Sequence, residues 1–279
     1  MASLPNTTSV GVAIVPEIWS SRFYSVLRAE LPFLSSVDQS YAEQIRSLGQ
    51  ILNISTIADF DQAEELAEGA SGDTEVSSYS KQQLTVNKRV YKDFAVTDEL
   101  ELQSLPHMDI LREKAVYSIQ KKIQQIIIDN ISPSTSAPDH VISYTAGTTL
   151  ALADILAAKE LLDTQNVDVS NRVGVLGSAQ INDVFNITGF VSRDFIPSGS
   201  PLSSGMIDTP LCGFQIKLTT VVGNTSYWFH PSFFALAIQK QIGVKVFDRG
   251  VEGVRDFRVN TDCLLGVKQL SNVRVVSIS

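Results

Sequence analysis

The segment Leu84 to Val96 constrains this chain more than any other. Leu84, Val86, Val90, Phe94 and Val96 share one parity, with Lys88 and Lys92 interposed. Thr85, Asn87, Arg89, Tyr91, Asp93 and Ala95 take the other. Side chains alternate across a β-strand, so the spacing predicts a strand over 84–96. At ~3.3 Å per residue it runs about 43 Å, well beyond the common strand of about 5–6 residues. Residues 48–58 (LGQILNISTIA) are rich in β-branched side chains and predict a second strand. Mixed polarity on both faces does not suit the core of a globule. The pair is expected to form a two-stranded ribbon that projects from the body and needs a neighbour's support. Val86, Val90 and Phe94 are therefore expected to be incompletely buried in a single chain.

The connection is as informative as the strands. Residues 59–80 hold Asp59, Asp61, Glu64, Glu65, Glu68, Asp73 and Glu75, with no base before Lys81. Connections beyond ~12–15 residues are usually functional or disordered. Two readings stand: a solvated acidic tip, or an acidic finger that meets basic groups of another subunit.

Two helical stripes flank the ribbon. Ile18, Trp19, Phe23, Val26, Leu27, Leu31 and Leu34 recur at steps near three and four, which predicts an amphipathic helix broken near Pro32. It has no core of its own and needs a surface. Met108, Leu111, Ala115, Ile119, Ile123, Ile126 and Ile127 predict a helix over 107–131, about 37 Å long. The first stripe (Ile18, Trp19, Phe23, Leu27, Leu31) is expected to dock on the second through Leu111, Ala115, Ile119 and Ile123, in its own or an adjacent subunit. The Pro/Ser/Thr-rich stretch 132–149 marks a subdomain boundary. Beyond it the pattern predicts a helix over 150–164 capped by Thr149, a strand at 172–176 and a helix at 178–187 capped by Ser178. Strands near 213–222 and 225–230, a helix Pro231–Lys240, and strands near 243–248, 254–260, 263–269 and 272–278 complete the reading.

The usual signatures of catalysis are missing. His107, His140 and His230 stand alone, and neither Cys212 nor Cys263 belongs to a metal-binding pair. Gly177-Ser178 is not a nucleophile elbow, because Ala179 and Gln180 follow. No phosphate-cradling glycine loop occurs. The expectation is a protein that is not an enzyme, with no catalytic, cofactor or metal residue. A net charge of −8 disfavours nucleic-acid readout. The 279 residues, 44% hydrophobic and 19% charged, suit an ordinary globular chain able to bury a sizeable core. No apolar run is long enough to span a bilayer, and no signal-peptide pattern is present.

The order of these parts resembles the tailed-bacteriophage major capsid proteins of the Hong Kong 97 fold, in the branch with podovirus-type coats. Val15-Pro16-Glu17-Ile18-Trp19-Ser20 looks like the start of the family's N-terminal arm, and Gly49 to Ile54 like the first strand of its extended loop. Val86–Asp98 followed by Asp109–Ile131 looks like the second strand running into the spine helix. Ser204-Gly205-Met206-Ile207 through Leu211 to Ile216 resembles a strand approach in the axial domain. The resemblance implies an α+β capsid fold in four parts. These are an arm (1–44), an extended β-hairpin with an acidic tip (45–97), a peripheral domain with the spine helix (98–146 and 240–279) and an axial domain (147–239).

It further implies an icosahedral, double-stranded-DNA-containing virion shell built from hexamers and pentamers. Such a shell would assemble in a bacterial cytoplasm with a portal and, in some members, a decoration protein. Met1 leads directly into the arm, so a separate scaffolding protein is expected. The arm stripe, together with Asp59, Asp61, Glu64, Glu65, Lys88, Arg89 and Lys92 of the loop, would meet other subunits. Lys81, Lys88 and Lys92 are candidates for the covalent cross-links of some relatives. An encapsulin-type shell around a cargo enzyme, and a soluble hydrolase or binding domain, are the alternatives.

Overall fold

The computed structural model describes residues 31–45, 50–97 apart from 59, 61, 64, 70 and 73, then 107–145, 147, 149–187, 210–251 and 254–279. Helix α1 (Pro32–Ser36) and helix α2 (Ala42–Ile45) lead into strands β1 (Ile51–Ile57) and β2 (Tyr79–Thr97) and the long helix α3 (His107–Asp129). Then come β3 (Val141–Ile142), α4 (Leu152–Thr164), β4 (Val173–Gly177), α5 (Gln180–Asn186), β5 (Gln215–Thr219) and β6 (Ser226–Phe229). A single 3-10 turn, Pro231–Phe233, precedes β7 (Phe234–Val251), β8 (Val254–Gln269) and β9 (Val275–Ile278).

The strands form two sheets. The first is antiparallel, in the order β1-β2-β8-β7. The second is mixed, in the order β3-β9-β6-β4-β5. Its inner strands are covered on both sides. Val173, Val175, Phe229 and Val275 join the core shared with α1, α3 and the first sheet. Leu176, Trp228, Val276 and Ile278 join a second core beneath α4 and α5. A strand buried on both faces reads as a continuous apolar run, which is why Val173–Leu176 was recognisable.

The ribbon expectation is overturned along most of β2. Only Tyr79–Thr85 pairs with β1, while Val86–Thr97 pairs with β8 of the main sheet. Val86 and Val90 are buried within one chain, and Phe94 is half-buried. Nor do Val86 and Val90 share a face. The ladder slips between Val86 and Lys88. A bulge adds one residue, and one residue reverses every later side chain. Leu84 and Val86 thus pack with Ile45, Ala235 and Ala237, whereas Val90 packs with Ile119, Ile123, Cys263 and Leu265 on the α3 side.

Other expectations also change. The helix expected ahead of Pro32 lies outside the described residues; at the expected break a separate helix, α1, begins with Pro32, because a helix start has no use for the amide that proline lacks. The expected helix Pro231–Lys240 is one 3-10 turn and then strand. Phe234 and Leu236 enter one core while Ala235 and Ala237 enter another, a period of two that pairing with β8 makes stable. The segments near 254–260 and 263–269 are one continuous strand. Neither Thr149 nor Ser178 is a helix cap. The caps are Ala151 and Ala179, and the Ala151 amide donates to Asp154 Oδ2 at 3.0 Å.

Candidate functional site

Among the described residues no group of His, Cys, Asp and Glu could hold a metal, and the candidate site is the surface that other molecules meet. Of the expected arm residues, Ile18, Trp19, Phe23 and Leu27 lie outside the described residues, and Leu31 is half-buried just before α1. The next aromatic does what the arm was expected to do. Phe33 is fully buried, stacks on Phe229 and meets Tyr227 edge-on, both with ring centroids 5.7 Å apart. It lies in one cluster with Ile119, Ile123 and Ile127 of α3. Of the expected docking stripe, Ala115, Ile119 and Ile123 are buried and Leu111 is half-buried beside Phe94 and Val259. In one chain this stripe packs against α1, β2 and β8. Residues 32–38 are fastened at two further points. Lys217 Nζ donates to Ser36 Oγ at 2.7 Å and to Ser35 Oγ at 3.1 Å, and Asp38 bridges β7 at Ala235. Burial pushes the Lys217 ammonium below its ordinary pKa.

The loop residues divide differently. Asp59, Asp61 and Glu64 lie outside the described residues, and Glu65 is exposed. Arg89 is taken up internally. Its Nη2 donates to Asp262 Oδ2 at 2.8 Å, and Lys240 Nζ donates to Asp262 Oδ1. The two cations hold the Asp262 carboxyl below the usual carboxylate range, Lys240 contributing most, against a smaller opposing effect of burial. Lys88 and Lys92 have no described carboxylate partner. Lys88 joins Lys122, Val90 and Ile126 in an open groove of about 440 Å³ between β2 and α3. Sequence reading missed Lys122. Its only signal was its place one turn from Ile119 and Ile126, on the rim of the apolar stripe.

At the far end of the hairpin the surface is apolar as well as acidic. Phe60 is 65% exposed, Leu66 48% and Val76 83%, beside exposed Ile57 and Tyr79. Single exposed apolar residues are ordinary, whereas a group rimmed by charge marks an interaction surface. β1 is also a sheet edge with unpaired backbone groups, and natural folds normally cover such an edge.

The two histidines whose side chains are described have separate partners. His140 is buried and its Nδ1 lies 2.8 Å from Pro138 O. His230 Nδ1 accepts from Ser232 N at 3.3 Å, and burial lowers its pKa. The His107 side chain lies outside the described residues. Among the described residues no His, Cys, Asp and Glu cluster of three or more offers a metal site. No described helix is long and apolar enough to cross a membrane.

The chain is similar to known proteins over most of its length. The profile of the phage capsid protein family matches residues 45–264, well over half of the chain. The chain belongs to the phage capsid protein family. It is a structural protein, a major capsid protein that forms the virion shell from many copies of itself. No curated protein matches the sequence. Solved capsid structures share the fold of this capsid protein at low identity. A Mycobacterium phage Che8 chain is 20% identical with a TM-score of 0.76, over 95% of this chain and 97% of that one. The cyanophage Pam1 capsid is 15% identical with a TM-score of 0.70, over 100% and 98%. The capsid of a native GTA particle is 10% identical with a TM-score of 0.71, over 99% of each. The mixed helix-and-sheet architecture of this capsid protein is thus that of phage capsids.

Proposed function

We propose that this capsid protein builds an icosahedral shell of the Hong Kong 97 type, from hexamers and pentamers, around the double-stranded DNA of a tailed bacteriophage. In this reading α3 is the spine helix of a peripheral domain (98–146 and 240–279) and residues 147–239 are the axial domain. Residues 1–44 and 45–97, an arm and an extended loop, reach other subunits. Assembly takes place in the host cytoplasm with a separate scaffolding protein and a portal. The reading is carried by the exposed Phe60, Leu66, Val76 and Tyr79 on the hairpin, which their own chain leaves uncovered. Burying a large apolar side chain contributes about 1.5–3 kcal/mol, so such a group favours a lattice over a free monomer.

The test is expression with the scaffolding protein, followed by sedimentation, negative-stain imaging and assay for nuclease-protected DNA. Closed shells that package DNA are expected. Shells that instead copurify with an enzyme and hold no DNA would indicate a cellular compartment, and a stable monomer would overturn the reading. Trp19→Ala tests the arm separately. It should leave circular dichroism near normal and lower the yield or heat resistance of shells; parental shells would remove the arm from assembly.

A further inference from the structure

Resting on the reading as a shell subunit that encloses DNA, we infer that the face shared by β2 and α3 contacts the phosphate backbone of the enclosed duplex. These two packed elements hold eight basic and four acidic residues, within a chain whose net charge is −8. Lys88 and Lys122 stand at an open groove of about 440 Å³ whose lining includes Val90 and Ile126. Lys92 continues the row of Lys88, because residues 88, 90 and 92 share the α3 side of the strand beyond the bulge. Lys121 is exposed beside Lys122, and Lys114 is exposed two turns earlier on the face of Lys121.

The described acids on β2 and β8 are already engaged. Asp93 accepts from Asn260 Nδ2 at 2.5 Å, and Asp262 accepts from Arg89 and Lys240. Among the described residues no carboxylate forms an ion pair with Lys88, Lys92, Lys114, Lys121 or Lys122. Their charge is left for a partner outside the chain. The groove also offers Asn87 and the exposed Tyr91, whose amide and hydroxyl are ordinary donors to phosphate oxygens. Each strand of a duplex presents one phosphate per about 3.4 Å of axis, so the row from Lys88 to Lys92, about 13 Å long, faces about four phosphates. A contact to phosphate alone carries no sequence preference, which agrees with a chain too acidic for base readout. The acidic remainder of the subunit repels the duplex, so the DNA is held loosely at this face.

The experiment compares lysine acylation, read by peptide mass spectrometry, in DNA-filled shells and in the same mature shells emptied of DNA. The lattice is common to both, so a difference reports DNA and not a neighbouring subunit. Lys88 and Lys122 should react about threefold or more slowly in filled shells, whereas Lys81 on the hairpin should react alike in both. Lys88→Gln with Lys122→Gln should give shells at parental yield, and DNA should leave the opened particles at about half the parental salt concentration or less. Lys88→Arg with Lys122→Arg should restore the parental salt dependence. Equal reactivity in filled and emptied shells would overturn the inference, and slow reaction in both would place the lysines in a subunit contact. So would a glutamine variant that forms no shells. Protection found only in precursor shells that still hold scaffold would also overturn it, and would assign the face to an acidic protein partner. A wild-type chain that never forms shells, or whose shells never hold DNA, would instead overturn the functional reading itself.

Discussion

At Asp262 one carboxylate joins three strands. It sits on β8, with 6% of its side chain exposed, and accepts from Arg89 on β2 and Lys240 on β7. Its pKa is depressed by those two cations, Lys240 first. A carboxyl depressed in the folded state stabilises above its unfolded value of ~3.9, and that contribution is lost as pH falls through the folded value. Arg89 is 63% exposed, so water screens the pair and the contribution stays near ~1 kcal/mol. Asp262→Asn should therefore weaken the unassembled subunit by about that amount at pH 7. The difference should shrink at acid pH, as pH falls through the depressed folded value. Urea titration at the two pH values measures it, and an equal loss at both would assign the effect to packing. The Asp262 clamp was not legible in the sequence. Arg89, Lys240 and Asp262 are far apart in the chain, and only the register of β2, β8 and β7 unites them.

Among the elements, α1 carries more weight than its five residues suggest. Phe33 fixes it to α3 and β6, and Lys217 fixes it to β5. Truncating a buried aromatic removes its transfer free energy and leaves a cavity, so Phe33→Ala should cost about 3–5 kcal/mol. Phe60→Ala, on the exposed tip, should change monomer stability by less than ~0.5 kcal/mol. Thermal denaturation of the two variants checks the contrast; similar losses would mean that the tip is part of the monomer's core. α3 was legible because its apolar stripe keeps helical period over six turns. The segment Pro231–Lys240 was misread because its apolar residues are dense enough to satisfy either period. There the pairing with β8 made the choice.

At the scale of the molecule, two sheets share a core with α1 and α3 while one hairpin end stays uncovered. Replacing residues 60–76 by a tight turn should leave the monomer's melting midpoint unchanged and abolish shells. Calorimetry and sedimentation of one preparation measure both, and a lowered midpoint would show that the loop supports the fold. The sequence by itself determined the element inventory around this core: the hairpin and its acidic connection, the long helix and the doubly buried β4. It also pointed to a capsid subunit through the order of those parts. These are properties of short segments, where alternation, helical period and charge density act on neighbouring residues. The tertiary structure alone decided which face each side chain of β2 takes. A bulge of one residue costs little locally yet reverses everything after it, and only the partner strand shows where it falls. The same reversal put Lys88 on the side of Lys122 and Val86 on the opposite side, so the groove exists through long-range pairing and not through any local pattern.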